Sequence, residues 1–434
     1  MTESALIIQV ILCMGLLLLF MAAGMRIFAS MIVAAIIPAY FLLDTIEMTT
    51  YIPFNSAASW SLSAMPLFVF MGTICLYGGL SEGLYRGASI LIGGLRGGLL
   101  HSNIIACALF SAISGSTTAT AVTVGSVAIP ELGKRGYSEI ITTGSLAAGS
   151  ILGSIIPPST VFIIYGSMTN TSIGKLFFAG MLPGIALAAL YMVVILIWVT
   201  LDPSVAPKVK VQGFANVLEG LKDLFPILFT SGVVLGGIYF GLYTPVEGGA
   251  VGCITAIVVS LLKGKLTWGA LHKAALATVK TTSFLMLIIV TSSVLTNVLA
   301  GFRIPYQIAQ WIVHLPLPPL AILISFCVMY LILGCVIESI PLLVMTLPLV
   351  FPVMVKLGFD RIWFGVIVTL LIQIAMITPP VGLSLYAVQG LRGRGNLMDV
   401  IKGVMPFLLA AIVMVGMVIA FPSLSTWLPS YMME

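Results

Sequence analysis

An all-α polytopic membrane protein is the fold class this sequence predicts, and three observations predict it. Of its 434 residues, 60% are hydrophobic and 8% charged, against about 25% charged in a soluble domain. Apolar runs near the roughly 20 residues needed to cross a bilayer recur along the chain. The basic residues gather in alternate connections between those runs. So little charge cannot cover a surface facing water on all sides, so lipid is the solvent. The net charge of +5 is then a matter of placement and not a nucleic-acid footprint.

In chain order, the apolar runs predict about ten spanning helices: 4–25, 27–44, 64–81, 138–166, 176–200, 224–242, 246–262, 282–301, 361–390 and 404–421. Only Glu3 is charged before the first run, and Arg26 follows it, which favours a retained helix over a cleaved leader. Two stretches, 98–135 and 320–358, are too long for one pass and are interrupted by small or polar residues. They are expected to be re-entrant hairpins that enter the membrane and return to the same side. Segments 54–62 and 266–280 are amphipathic and expected at the interface.

Charge fixes the orientation. With both termini outside, the inner connections hold Arg26, Arg86, Arg96, Lys134, Arg135, Lys208, Lys210, Lys222, Lys263, Lys265, Lys273, Lys280, Arg392, Arg394 and Lys402. Only Lys175, Arg303, Lys356 and Arg361 remain outside, as the positive-inside rule requires. Counting either hairpin as one pass would reverse the downstream loops. Trp60, Trp198, Trp268, Trp311, Trp363 and Trp427 fall near expected span ends, where aromatic belts form.

Several classes are excluded. The longest non-spanning segment is Asp202–Asp223, too short for a soluble domain. Gly133-Lys134 lacks the upstream glycine and following hydroxyl of a phosphate-binding loop. The chain neither hydrolyses ATP nor captures solutes with a domain of its own, and no enzyme signature is present. Cys13, Cys75, Cys107, Cys253, Cys327 and Cys335 lie in apolar stretches without metal spacing and read as small buried hydrophobes.

The chain also resembles itself. Pro130, Lys134, Gly136, Ile140, Ile155, Pro157 and Pro158 match Pro352, Lys356, Gly358, Ile362, Ile377, Pro379 and Pro380, all at one constant offset along the chain. Average composition gives roughly two identities in such a window. The topology turns the halves, 1–205 and 206–434, in opposite directions. Each half is expected to contain two helices, an amphipathic segment, a helix, a hairpin, a broken helix (138–166 or 361–390) and a final helix. Inverted repeats with broken helices are the pattern of secondary transporters, whose sites lie at the breaks.

The candidate site follows from those breaks. Tandem prolines at Pro157-Pro158 and Pro379-Pro380 remove two donors and push the preceding residue out of the helix. Freed carbonyls at membrane depth are tolerated only inside protein or along a cavity. With nearby hydroxyls they can hold Na⁺, the expected coupling ion; no cofactor is implied. The candidate ligands are Ser114, Gly115, Ser116 and Pro157 in the first half, and Gly334, Glu338, Thr378 and Pro379 in the second. Half-helix N-termini at the same level can face an anionic substrate, which puts Ser116, Thr117, Thr118, Ser159, Glu338 and Ser339 against it. Plainer readings stand beside these. A proline pair can be a kink, Ser114–Thr118 can be helix packing, and Glu338 can be a protonated or internally paired carboxyl. Thr244-Pro245-Val246-Glu247 reads as a capping box opening a helix rather than as a ligand set. His101, His272 and His314 lie near interfaces.

These motifs resemble one family. Ser114-Gly115-Ser116, Ile129-Pro130-Glu131, Lys134-Arg135-Gly136-Tyr137, Ile155-Ile156-Pro157-Pro158-Ser159 and Ile164-Tyr165-Gly166 are similar to the large membrane subunit of TRAP (tripartite ATP-independent periplasmic) transporters. So are Gly241–Glu247, Gly358-Phe359 and Thr378–Leu383, in order, from about residue 15 to 420. The resemblance implies an ion-transporter-superfamily fold with two hairpins in the bacterial inner membrane, both termini periplasmic. It implies an elevator that couples Na⁺ entry to uptake of an organic anion, a carboxylate such as sialic acid or a C4-dicarboxylate. It implies two partners, a small four-helix membrane subunit and a periplasmic substrate-binding protein. The moving block would be 98–166 with 320–390, and the scaffold 1–62 with 205–281. Family members often carry Asp at the second hairpin tip, where this chain has Glu338. A stand-alone Na⁺/dicarboxylate symporter of the same superfamily is the alternative; its Ser-Asn-Thr triplets are absent from both tips.

Overall fold

A segment without water must close its backbone hydrogen bonds internally, and helices do this best. The computed structural model describes residues 3–43, 48–207 and 214–432, and every regular element among them is helical. Lys208 and Lys210, placed inside by the charge pattern, lie outside the described residues.

The first half runs α1 (Glu3–Ala22), α2 (Ile27–Pro38, continued by a π-turn over Ala39–Leu43), α3 (Met48–Ala57), α4 (Ala64–Tyr77), α5 (Glu82–Ile92), α6 (Leu99–Ser114), α7 (Thr117–Lys134), α8 (Glu139–Ser150), α9 (Thr160–Thr169) and α10 (Ile173–Leu201). The second runs α11 (Phe214–Tyr239), α12 (Pro245–Leu262), α13 (Trp268–Gly301), α14 (Ile304–Val313), α15 (Pro319–Gly334), α16 (Ser339–Lys356), α17 (Arg361–Ala375), α18 (Leu383–Arg392) and α19 (Leu397–Ala420). Helices α7 and α16 begin and end at the offset of the sequence matches, and α8 and α17 begin at it. Both proline pairs contain a cis peptide bond.

Three departures from the expected layout have local causes. Two amphipathic helices, α5 and α14, stand between the fourth element of each half and its hairpin. Each is too short and too polar on one face to register as a span; α5 buries Leu84, Tyr85, Gly87 and Ala88 while Glu82 and Arg86 stay out. Segment 266–280 is not a separate interfacial element: it is the first part of the 34-residue α13. Its counterpart in the first half is interrupted because Ser59 is extended and a 3₁₀ turn over Trp60–Ser63 leads into α4, with Pro66 in its first turn. Finally, seven described helical segments are long and apolar enough to cross: Trp60–Tyr77, α10, Val217–Tyr239, α12, α13, α16 and α19. The count falls below ten partly because 138–166 and 361–390 are each divided by their proline breaks.

One large buried core runs through α4 to α19. A smaller one joins Cys13 and Leu17 of α1 and Met31, Ala34 and Ala35 of α2 to Val294, Leu295 and Leu299 of α13. All six thiols are free; five are buried and Cys335 is half-buried. Trp60, Trp268, Trp311 and Trp427 are exposed. Trp363 is instead buried, its indole donating to the Val418 carbonyl at 2.8 Å, so it ties α17 to α19. Thr244 and Glu247 form the expected capping box.

Two sets of contacts matter for function. On one side, α4 packs on α12 and α13, and α5 on α11. Arg86 bonds Asp223 at 2.6 Å and Lys265 bonds Glu82 at 3.0 Å; the Asp223 bond raises the Arg86 pKa above its usual value. On the other side the halves interlock. Helix α18 packs on α7, and α8 on α19. Arg392, with 7% of its side chain exposed, bonds Glu139 at 2.5 Å and Asp399 at 3.1 Å, and Arg394 also bonds Glu139.

The α8–α19 crossing is as tight as backbones allow. A Cβ on Gly144 would lie 2.2 Å from the Gly403 carbonyl, and one on Gly403 2.1 Å from the Ile140 carbonyl. Gly144→Ala and Gly403→Ala are each expected to cost about 3 kcal/mol or more through overpacking. Gly416, also on α19, has nothing within 4 Å of its would-be Cβ, and Gly416→Ala should be neutral or slightly stabilising. Thermal unfolding in mild detergent checks this; equal behaviour of all three variants would contradict the crossing.

Candidate functional site

The first hairpin turns at Gly115. Helix α6 closes there with a left-handed residue (φ 58°), which glycine accepts without steric cost. A Cβ on Gly115 would also sit 2.8 Å from the Pro158 carbonyl. Ser116 then caps α7 by accepting from the Ala119 amide at 3.4 Å. Thr120 donates to the Ser116 carbonyl at 2.8 Å and lies 3.1 Å from the Ser114 hydroxyl.

Against this tip lies the first break. Helix α8 ends at Ser150, a 3₁₀ turn spans Ile151–Ser154, and α9 restarts beyond the prolines with Ser159 as its cap. The Ser159 hydroxyl donates to the Ser154 carbonyl at 2.6 Å. The Thr160 hydroxyl donates to the Gly115 carbonyl at 3.0 Å, and Thr117 meets the Ser154 hydroxyl at 3.0 Å. Gly153 lacks the Cβ that would strike the Ser116 carbonyl and Thr120 hydroxyl, both at 2.7 Å. Tip and break are therefore one interlocked unit, rich in hydroxyl and carbonyl oxygens and without a charged group.

The second pair has the same frame and different chemistry. A Cβ on Gly334 would lie 2.2 Å from the Ala375 Cβ, so this tip rests on the end of α17. The Cys335 thiol lies 3.5 Å from the Pro379 carbonyl, and Thr378 donates to the Ile374 carbonyl at 2.8 Å. Glu338 caps α16 in extended conformation without a side-chain cap bond, and among the described residues its half-buried carboxylate has no hydrogen-bond or ion-pair partner. Gly382, in a left-handed conformation, precedes α18, again with no side-chain cap. Ser116 and Glu338 are counterparts at the repeat offset. The first half thus closes its two helix N-termini with hydroxyls, and the second leaves both without a side-chain cap.

Of the residues expected from sequence, Ser114, Gly115, Ser116, Thr117, Pro157 and Ser159 come together, and Gly334, Thr378 and Pro379 share the second tip and break. Glu338 and Ser339 sit at the start of α16 on that tip, Ser339 buried. Thr118 does not join: it is exposed, because the residue after Thr117 on α7 turns about 100° away from the break. Sequence reasoning misses Gln373. It is fully buried on α17, and its Oε1 accepts from the Thr117 hydroxyl at 2.5 Å, joining the first tip to the second half. A lone amide within the apolar run from Leu370 to Ala375 is the available signal. A cavity of about 850 Å³ is lined by Ser59, Trp60, Asn170, Tyr243 and Glu247 among others, and by none of the tip or break residues.

Known proteins share both the sequence pattern and the fold. Residues 14–424 match the family model described as "Tripartite ATP-independent periplasmic transporter, DctM component". The chain is 34% identical over 404 residues to a C4-dicarboxylate TRAP transporter large permease protein of Vibrio cholerae, covering 88% of each. It is 32% identical over 373 residues to a sialic acid TRAP transporter large permease protein of the same organism, covering 86% of each. Among solved structures it resembles the Alcanivorax borkumensis YdaH transporter (TM-score 0.64, 14% identity, 87% of this chain and 90% of that one). It also resembles Neisseria gonorrhoeae MtrF (TM-score 0.60, 12% identity, 87% and 84%). At those identities the two structures speak for the fold alone.

Ser159→Ala removes the α9 cap and the bond to Ser154, and should lower stability by about 1–2 kcal/mol. Thr118→Val should stay within about 0.5 kcal/mol. Thermal unfolding distinguishes them; equal losses would place Thr118 in the network.

Proposed function

We propose a function on one premise: this chain belongs to the DctM-component family of tripartite ATP-independent periplasmic transporters. It is a large permease subunit of such a transporter, a multi-pass membrane protein and not an enzyme. Beyond that premise, we infer that it takes up an organic anion, a carboxylate, in symport with Na⁺ across a bacterial inner membrane. The relatives named for C4-dicarboxylates and for sialic acid share similar identity with this chain, so both classes stand as substrates.

The observation that carries the reading is the interlock of each hairpin tip with a proline-broken helix. A break at membrane depth is costly unless its backbone is covered; the first is covered by a hydroxyl-rich tip and the second by Gly334 and Cys335. Hydroxyl and carbonyl oxygens suit a hard monovalent cation. The first tip and break offer Ser114, Gly115, Ser116 and Pro157 for one Na⁺. The second offers Gly334, Glu338, Thr378 and Pro379 for another, where the unpaired Glu338 carboxylate would gain a counter-ion. Ser116, Thr117, Ser159 and Ser339 would border the substrate.

The contacts that join the halves support rigid-body motion. Thr117–Gln373, Gly125 against Leu391 and Arg392–Glu139 tie α6–α9 to α15–α18. Arg86–Asp223 and Lys265–Glu82 brace α5 against α11 and the α12–α13 connection, which adds α5 to the scaffold. An elevator in which the first set moves within the second, with the two halves inverted in the bilayer and both termini periplasmic, fits this division. The partners are a small four-helix membrane subunit and a periplasmic binding protein. The face that would receive the latter includes Met168–Lys175 and the stretch from 44 to 63, of which residues 44–47 lie outside the described residues.

In proteoliposomes with both partners, uptake of radiolabelled succinate or sialic acid, each with its own binding protein, should require an inward Na⁺ gradient. Undiminished uptake in Na⁺-free buffer at fixed pH would overturn the coupling.

A further inference from the structure

The residues that form the tips and breaks contain no Lys or Arg, from Ser111 to Thr118, Ser150 to Thr160, Gly334 to Ser339 and Gln373 to Ser384. An anion bound there must be read by neutral donors. Most hydroxyls at the first tip are already engaged, as described above. Two donors beside the second break are not. The Gln373 amide nitrogen and the Ser384 hydroxyl are enclosed and have no hydrogen-bond partner, on side chains 0% and 1% exposed.

These two residues flank the same break and are linked through the backbone of one residue, Met376. The Met376 amide bonds the Gln373 carbonyl, and the Met376 carbonyl accepts from the Ser384 amide, both at 3.1 Å. Because Thr117 holds the Gln373 Oε1, the divergent Nε2 is turned away from the hydroxyls and left with both hydrogens free. Buried unpaired donors are costly and call for a reason. The repeat supplies none: Ile151 and Phe162 are the counterparts of Gln373 and Ser384 at the repeat offset, so the matching frame of the first half does without a polar group at either place. The adjacent start of α18 has no side-chain cap, and a helix N-terminus favours negative charge.

We propose that Gln373 and Ser384 bind the substrate's carboxylate, with Thr117 positioning the Gln373 amide. The geometry explains how an anion is recognised without a buried cation. Both donors are enclosed here, so the carboxylate reaches them when the second hairpin tip, which rests on the end of α17 through Gly334 and Ala375, lifts away, a motion that leaves the Thr117–Gln373 bond in place. This assignment rests on the carboxylate-transport reading above.

The test uses the full chain with its membrane partner, saturating substrate-loaded binding protein, and succinate and sialic acid as probes. Gln373→Glu keeps an acceptor for Thr117 and replaces the free donor with a negative charge. It should lower uptake about tenfold or more, leave half-saturating Na⁺ within about twofold, and abolish thermal stabilisation of the purified protein by millimolar probe. Ser384→Ala should lower uptake about fivefold with the same Na⁺ dependence. Gln373→Leu should resemble Gln373→Glu but less severely; if it does not fold, the other two variants still decide. Wild-type uptake and stabilisation in Gln373→Glu would overturn the proposal. So would a shift confined to Na⁺ dependence, which would make Gln373 an ion ligand, or a loss that merely follows lowered melting temperature. Wild-type protein that takes up neither probe in a Na⁺ gradient would overturn the transport reading, and this assignment with it.

Discussion

The structure depends on one constraint: a backbone polar group at membrane depth must find a partner within the protein. Unbroken helices meet it without help. The two proline pairs cannot, and each is met by the tip of a helical hairpin. Most of the unusual residues near the site follow from that requirement. Gly115 and Gly153 are glycines because a Cβ at either would strike a carbonyl across the contact. Thr160 and Ser159 direct hydroxyls to carbonyls of the tip and the 3₁₀ turn. A break covered this way becomes a small, oxygen-lined, charge-poor enclosure, and this is the physical basis for reading it as an ion site.

The halves share a frame and differ in what fills it. Ser116 and Ser159 cap their helices in the first half; Glu338 and Gly382 precede the equivalent helices in the second without side-chain caps. The first tip and break are closely hydrogen-bonded, while the second exposes Val336 and leaves the Glu338 carboxylate without a partner among the described residues. On the proposed reading, repetition of backbone with divergence of side chains lets one architecture serve a cation and an anion at adjoining places. Gln373 is where they adjoin, since its amide touches the first tip from the helix that leads into the second break.

Much of this was legible in the sequence. Hydropathy and charge give the class. The interruptions at Ser114–Thr118 and 334–339 give the hairpins, because small and polar residues in the middle of a long apolar run mark a turn within the membrane. The proline pairs give the breaks, and Thr244–Glu247 gives its capping box. What stayed hidden depends on neighbours distant in sequence. The amphipathic α5 and α14 are too short to register as spans. The fusion of 266–280 into α13 turns on the lack of a serine-rich interruption, a weak local signal. Thr118 and Thr117 are indistinguishable until helical rotation sends one to the break and the other to the surface. Gln373 acquires meaning only when folding brings it to Thr117, 256 residues away in sequence.

The central claim is that the interlocked tips and breaks hold Na⁺ by themselves, before any partner acts. Equilibrium binding of radiolabelled sodium to the purified chain, without small subunit, binding protein or substrate, tests it most directly. Wild-type protein should bind saturably, and the first-half site should be lost, with the second retained, when Ser159→Ala and Thr160→Val are combined in a protein that remains folded. Saturable binding left unchanged by that pair, or none in the wild type, would contradict it.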